Sequence, residues 1–374
     1  MYEQPIISPE YKDVSVEVLS ALPKVVLTDH VEGGIRPSTF LEFAEDASVT
    51  LPEECTDADS LRTWAMKQPS EQLRGIVNAT LDKPEKYTQL IREALEDLSR
   101  DNVVYAELTI WPQLVAEKHD LDVRELIDAA ARGMSAREVY GIQARLLVRI
   151  DPDAPGGIDA LHALIASDRG VVAGAMLHPT DNQVGLQARD MLHRNLIPFT
   201  VAAWPLWGIG AVHQGAGAGG QRLSHAIALT EDFSVSSENF DLQLGKSSAW
   251  VRDRRMTLEL APTLAIHEKA AKSYSDHPVG LFFELGFRLT VSPAVRLITD
   301  STMTSELMNL VEHCDFGLEE LFQITVDAVE SAFLPYPQRQ QIIQSIILPA
   351  YERLEDSELA EHVHDEELDL GDEE

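Results

Sequence analysis

The amino-acid sequence predicts an α/β fold, a (β/α)8 TIM barrel with additional helices, because short apolar runs alternate with amphipathic helical segments. The apolar runs are continuous or rich in β-branched residues, as expected for strands that are buried on both faces of a parallel sheet. Eight such strand candidates occur, at residues 25–27, 103–108, 144–150, 171–176, 199–203, 222–224, 257–260 and 288–291. A doubly wound open sheet is the competing fold, and the strand count alone does not exclude it.

The segments between these runs contain amphipathic helices. In residues 84–100 the apolar side chains recur at the three- and four-residue spacing that places them on one helix face. They are Tyr87, Leu90, Ile91, Ala94, Leu95 and Leu98. Residues 318–333 show the same pattern, so helices of this kind are expected to cover the outside of the strands.

Composition limits the class of protein. The net charge of −32 disfavours nucleic acid and anionic membranes as partners, because both carry the same sign. No apolar run reaches the roughly 18 residues of a membrane span, and the first 11 residues do not resemble a secretory signal. Cys55 and Cys314 are far apart and lack metal-ligand spacing. We therefore expect a cytoplasmic protein with two free thiols.

Three parts are expected along the chain: an N-terminal extension at 1–20, the barrel at 21–354 and an acidic tail at 355–374. The tail contains the acidic clusters 365–367 and 372–374, which are typical of a disordered, solubilising segment. A docking segment for a basic partner surface is the alternative interpretation.

Five segments carry a resemblance to a known family. They are LPKVVLTDHVEGG at 22–34, VVYAEL at 103–108, RLSHA at 222–226, HPV at 277–279 and SAFLP at 331–335. In this order and spacing, from residue 22 to about 354, the chain resembles the adenosine deaminase family of the metal-dependent hydrolase superfamily. The resemblance implies a (β/α)8 barrel rather than an open sheet. It also implies a site at the carboxyl ends of the strands and the family reaction, which is zinc-dependent hydrolytic deamination of adenosine to inosine.

The same resemblance implies a zinc site, and the residues at the corresponding positions depart from it. The family binds zinc through two histidines of the first strand, a third on strand five and an aspartate on strand eight. Here those positions hold Thr28, His30, Ala202 and Ala294. His30 is thus the one retained ligand position, and a single imidazole is more typical of a hydrogen-bonded structural group than of a metal ligand. A catalytic zinc ion needs about three protein ligands, so we expect no tightly bound metal.

Catalytic groups depart in the same way. Pro205 stands where the family has the glutamate that handles the ring proton, and Val295 stands where it has a second aspartate. His225 is retained after strand six, and we leave open whether it binds a purine edge or serves the structure alone. Loss of the metal and the acid together predicts that little of the family reaction remains.

The expected ligand pocket is also altered. Glu32 and Gly33 keep the acid–glycine pair that the family uses near the ribose, and His178 replaces a glycine after strand four. These three residues are our candidate substrate-binding residues. Trp204 and Trp207 place bulk near the position that the metal would occupy.

Three further features have weaker interpretations. A rebuilt metal site would add His178 and His213 to the two retained histidines, but no ligand spacing supports it. Asp300 is expected to be a cap or loop carboxylate rather than a relocated ligand. The glycine-rich residues 208–220 lack the Lys-Ser/Thr ending of a phosphate-binding loop, so a mobile barrel loop is predicted.

The leading hypothesis is a family member that has lost the zinc chemistry and acts as a nucleoside-binding or regulatory pseudoenzyme. It would function alone, as a homo-oligomer, or paired with an active relative. The alternative is an enzyme, a residual or altered hydrolase acting on the C–N bond of an aminopurine. A purely structural subunit is a third class, which would bind neither nucleoside nor metal.

Overall fold

Eight parallel strands form a nearly closed barrel in the computed structural model, which describes residues 14–237 and 241–354. The barrel strands are β1 (Lys24–His30), β2 (Val103–Ile110), β3 (Gln143–Ile150), β4 (Val172–Leu177), β5 (Phe199–Ala202), β6 (Arg222–Ser224), β9 (Thr257–Leu260) and β10 (Leu289–Val291). They are hydrogen-bonded in this order. Between β6 and β9, the strands β7 (Phe233–Val235) and β8 (Leu242–Leu244) form a separate antiparallel pair. The prediction of a (β/α)8 barrel is confirmed, with a strand at each of the eight candidate segments.

Backbone atoms join the first and last barrel strands. Asp29 forms an isolated parallel bridge with Ala294, and the backbone N–H of His30 donates to the carbonyl oxygen of Ala294 at 2.9 Å. This hydrogen bond lies at the carboxyl end of β1. The seam of the barrel is therefore connected at the same edge at which a ligand site is expected.

Helices surround the barrel. They are α1 (Val16–Ala21), α2 (Pro37–Asp46), α3 (Ala58–Ala65), α4 (Ser70–Thr80), α5 (Pro84–Arg100), α6 (Pro112–His119), α7 (Val123–Gly133), α8 (Arg137–Tyr140), α9 (Gly157–Ile165), α10 (Gln183–Arg194), α11 (Gly208–Gly217), α12 (Lys246–Asp253), α13 (Pro262–His267), α14 (Val279–Glu284), α15 (Arg296–Thr299), α16 (Met303–Cys314), α17 (Leu318–Ser331) and α18 (Tyr336–Ile342). A π-helical turn at Ile343–Ile347 follows α18. The helix predicted over 84–100 has the predicted bounds, and its apolar face is buried.

A buried charge network lies inside the barrel and connects β2, β6 and β9. The guanidinium of Arg222 lies 2.6 Å from Glu107 Oε2 and 2.6 Å from Glu259 Oε1, and all three side chains are almost completely buried. The backbone N–H of Phe333 donates to Glu107 Oε1 at 2.6 Å. Helix α17 was predicted to continue to residue 333, but it ends at Ser331. The chain turns there and brings the N–H of Phe333 to the carboxylate.

The glycine-rich residues 208–220 are largely helical, so the prediction of a loop is wrong. Helix α11 begins at Gly208, which has a φ of 69°, a conformation that glycine adopts readily. A Cβ atom on Gly215 would lie 2.7 Å from Leu223 Cδ2. Small residues therefore let α11 pack closely against the barrel, and this packing outweighs the low helix propensity of glycine.

The expected division of the chain into an extension, a barrel and a tail stays a prediction. The predicted extension at 1–20 includes most of α1, whose Leu19 is buried, and α1 packs against α16. The acidic tail at 355–374 lies outside the described residues. Within the described part of the chain, no helix is long and apolar enough to cross a membrane.

Candidate functional site

Polar and aromatic side chains gather where the barrel strands end. His30 ends β1, Trp111 follows β2, Arg149 lies near the end of β3, Trp204 follows β5 and His225 follows β6. A cavity of about 40 Å³ lies among them at the barrel mouth. Its lining residues are His30, Glu32, Gly33, Ser70, Leu73, Arg74, Val77, Trp111, Arg149, Trp204, Val295 and Leu297. A volume of this size holds about three water molecules.

The two retained histidines lie close together. The ring centroids of His30 and His225 are 5.9 Å apart, and the indole of Trp204 packs edge-on at 4.8 Å from His225. Burial lowers the pKa of His225 to about 3 and that of His30 well below its usual value, so both imidazoles are neutral. The Nε2 atoms of both rings are buried without a hydrogen-bond partner among the described residues. The sequence had favoured a hydrogen-bonded, structural His30, and the partnerless Nε2 is not explained by that role.

Two residues at the mouth have a left-handed backbone. His225 has φ 61° and Ala294 has φ 59°. This region costs a residue with a Cβ atom about 1–2 kcal/mol, and such strain concentrates at functional sites. The hydrogen bond from the His30 N–H to the Ala294 carbonyl helps to hold the second of these conformations.

The residues at the mouth do not fit a zinc ion. Ala202 and Ala294 are buried and have no donor atom in their side chains, and Thr28 offers only a hydroxyl. Among residues 14–237 and 241–354, no group of three or more His, Cys, Asp or Glu side chains is placed to hold a metal ion. His213 belongs to α11, where its Nδ1 lies 3.0 Å from the hydroxyl oxygen of Ser247. The described residues therefore do not assemble the rebuilt metal site either.

Glu32 is anchored from two sides. Its Oε1 accepts hydrogen bonds from the hydroxyl of Tyr87 at 2.6 Å and from the backbone N–H of Trp111 at 2.7 Å. Burial raises the pKa of this carboxyl. Gly33 lies beside Val295, since a Cβ atom here would come within 2.7 Å of Val295 Cγ1. Both predicted ligand residues thus line the cavity, and their roles in ligand binding stay predictions.

His178 lies outside the cavity lining. Its Nδ1 is 4.0 Å from Asp151 Oδ2, and its ring packs edge-on against Trp207 at 4.6 Å. The two tryptophans therefore occupy different positions. Trp204 lines the cavity, whereas Trp207 is partly exposed beside His178. Asp300 is the left-handed C-cap of α15 and lies 3.4 Å from Arg62, which agrees with the predicted capping role.

Sequence reasoning missed the basic side of the site. The guanidinium carbon of Arg149 lies 3.7 Å from the ring centroid of Trp111, and that of Arg74 lies 4.8 Å from the same ring. Arg149 had a detectable signal, since it is a charged residue near the carboxyl end of an apolar strand. Arg74 belongs to the polar pattern of α4 and had none.

The fold defines a TIM barrel, and the candidate site lies at the carboxyl ends of its strands. Residues 23–349 match the family model described as adenosine deaminase. The chain is 32% identical over 364 residues to adenosine deaminase of Mycobacterium avium, covering 90% of this chain and 98% of that protein. It is 33% identical over 365 residues to adenosine deaminase 1 of Streptomyces coelicolor, covering 92% and 90%. The chain therefore belongs to the adenosine deaminase family, as the resemblance predicted.

Solved structures share the fold. An amidohydrolase from Burkholderia ambifaria with bound zinc superposes with a TM-score of 0.76 at 18% identity, covering 95% of this chain and 96% of that chain. The Arabidopsis protein ADAL complexed with IMP gives a TM-score of 0.75 at 19% identity, covering 90% and 99%. At these identities the likeness shows a common barrel.

Proposed function

We propose that this protein binds a purine nucleoside or a close derivative and has lost the zinc-dependent deamination of its family. The observation that carries the proposal is the donor set at the mouth. Two of the four positions that correspond to zinc ligands are alanine, one is threonine, and the described residues offer no other metal cluster.

The chemistry of the family reaction explains why this matters. Hydrolytic deamination needs an activated water at C6 of the purine and a proton for the ring, and zinc supplies the first by lowering the pKa of bound water to about 7. In this protein His30 and His225 are the paired imidazoles at the barrel mouth, and burial keeps both neutral. An imidazole whose pKa is lowered this far accepts or donates a hydrogen bond to a ligand, but it is a weak base for removing a proton from water.

Ligand binding is the activity that these side chains still support. The unpartnered Nε2 atoms of His30 and His225 are suited to the polar edge of a heterocycle, and the indole of Trp204 offers a surface for stacking. The relatives support a purine as the ligand, because they are adenosine deaminases and one structural neighbour is complexed with IMP. The cavity of about 40 Å³ is too small for a nucleoside. We therefore propose that Trp204 moves when the ligand enters.

A metal and activity assay tests this proposal. Protein purified without chelators is analysed for zinc and iron. The same protein is then incubated with adenosine, and formation of inosine is followed by ultraviolet absorbance. We expect less than one tenth of a metal ion per chain and no inosine, together with a thermal shift on addition of a purine ligand. Stoichiometric metal with rapid inosine formation would overturn the proposal.

A restored variant makes the test sharper. The combined change Thr28→His, Ala202→His, Pro205→Glu and Ala294→Asp supplies the missing ligands and acid, and aspartate tolerates the left-handed backbone at position 294. The matched control has the first three changes and keeps Ala294. Zinc bound tightly by the fourfold variant, and more weakly by the control, would support the assignment of these positions.

Residual deaminase activity is the second candidate function. It is favoured by the identity of about one third to adenosine deaminases and by the retained pair His30 and His225. It predicts stoichiometric metal in the native protein, and the metal analysis therefore separates the two. The regulatory role, the cytoplasmic location and pairing with an active relative stay predictions.

A further inference from the structure

Two arginines at the barrel mouth lack an ionic partner. Arg149 is 5% exposed and Arg74 is half-buried, and neither forms a hydrogen bond or ion pair with any side chain in residues 14–237 or 241–354. The Nε atom of Arg149 is completely buried and has no hydrogen-bond partner in the part of the chain that the structure describes. The other deeply buried arginines contrast with this, because Arg222 lies 2.6 Å from each of two carboxylates and Arg296 lies 2.8 Å from Asp29.

An unpaired, buried guanidinium is unfavourable in an apolar environment, so its retention needs a reason. The ring of Trp111 supplies part of the stabilisation, since both guanidinium groups pack near it. No described side chain accepts a hydrogen bond from either guanidinium, each of which carries five N–H donors. Both side chains also line the cavity, so these donors lie beside the space that a ligand would fill.

The cavity lining holds more positively charged than negatively charged side chains. Among the described residues Glu32 is the one carboxylate in the cavity lining, and its Oε1 already accepts hydrogen bonds from Tyr87 and Trp111. The positive charge of Arg149 also contributes to the lowered pKa of His30 and His225, after burial. Among the described residues, the cavity lining therefore holds two guanidinium groups and one carboxylate, and Glu71, Asp151 and Glu268 lie near them outside the lining.

We infer that Arg74 and Arg149 form an anion-binding subsite, and that the ligand of this protein is a phosphomonoester of a purine nucleoside rather than the neutral nucleoside. Guanidinium groups match the oxygen geometry of phosphate, and a pair of them supplies enough donors for its oxygens. The inference rests on the proposed purine-binding function and names the chemical class of its ligand.

Isothermal titration calorimetry of the full chain tests the inference with three probes: AMP, adenosine and ribose 5-phosphate. The variants are Arg149→Gln and Arg74→Gln. The matched control is Arg254→Gln, which removes an arginine that lies 4.5 Å from the ring of Trp250, outside the cavity. We expect AMP to bind at least tenfold more tightly than adenosine. Each subsite variant should weaken AMP binding about tenfold to a hundredfold and leave adenosine binding nearly unchanged.

The outcomes separate the inference from the proposed function. Equal binding of AMP and adenosine, with no effect of either variant, would overturn the anion subsite and leave purine binding intact. Ribose 5-phosphate binding as tightly as AMP would keep the subsite and overturn the purine. No binding of any probe would overturn both. If Arg149→Gln does not fold, Arg74→Gln decides alone, because Arg74 is half-buried and lies on the outer helix α4.

Discussion

Replacement of Arg222 by methionine should strongly destabilise the barrel. Of the cations in residues 14–237 and 241–354, Arg222 alone forms ion pairs with Glu107 and Glu259, at 2.6 Å from each, and all three side chains are at most 1% exposed. Removal of one partner from a buried ion pair costs about 3–5 kcal/mol, because the remaining charge is left without compensation. Since two carboxylates lose their partner here, we expect a loss of about 5 kcal/mol, which is a large part of the roughly 5–15 kcal/mol that stabilise a typical protein.

The destabilisation should also depend on pH. Burial raises the pKa of Glu259, and the positive charge of Arg222 opposes that rise. Without Arg222 the pKa of Glu259 rises further, so the folded variant keeps a proton that the unfolded chain releases above about pH 4.3. Between these two pKa values the stability of the variant falls by about 1.4 kcal/mol per pH unit. The loss relative to the native protein is therefore smaller at pH 5 than at pH 7.5.

Urea denaturation followed by tryptophan fluorescence at both pH values measures these effects. The control is Arg194→Met, which removes an exposed arginine that lies 2.9 Å from Asp190 and should change stability by less than about 0.5 kcal/mol. An Arg222→Met protein that loses under about 1 kcal/mol at pH 7.5, or loses the same amount at pH 5, would refute this account of the network.

Three further predictions concern single sites. His225, whose pKa burial lowers to about 3, should stay neutral down to pH 5 in imidazole ¹⁵N NMR spectra, and a chemical shift change between pH 7 and 5 would contradict this. Ala294→Gly should raise the free energy of unfolding by up to about 1 kcal/mol in urea denaturation, because glycine adopts φ 59° without strain; a loss of stability would show that the Ala294 methyl packs more strongly than its backbone is strained. Burial raises the pKa of Glu306 to about 7, so this carboxyl stabilises the fold at acid pH and loses that contribution as pH rises from about 4.5 to 7. Glu306→Gln should flatten the change in thermal midpoint over that range, and an unchanged pH profile would assign the dependence to other groups.

The barrel was predictable because its signals are local or common to a family. The apolar face of residues 84–100 and the eight strand runs each have a period that the sequence displays directly. The glycine-rich helix α11 could not be predicted from the sequence. It depends on close packing of Gly215 against Leu223, and a contact between separate segments leaves no local sequence pattern.

The lining of the candidate cavity could be predicted on one side. His30, Glu32 and Gly33 lie on the cavity where the family motif placed them. Arg74 and Trp111 meet there only after α4 folds over the end of β2, and neither residue belongs to a motif. Nor did the sequence show that Trp204 lines the cavity whereas Trp207 packs outside it.

The backbone connection at the seam between β1 and β10 has a consequence for how the protein can evolve. The link from His30 to Ala294 uses an amide hydrogen and a carbonyl oxygen, which every amino acid except proline provides. At these two residues, selection for the fold therefore acts on backbone atoms, whereas selection for a reaction acts on side-chain atoms. Side chains along this edge of the barrel can therefore change during evolution while the backbone hydrogen bond that joins the first and last strands is kept.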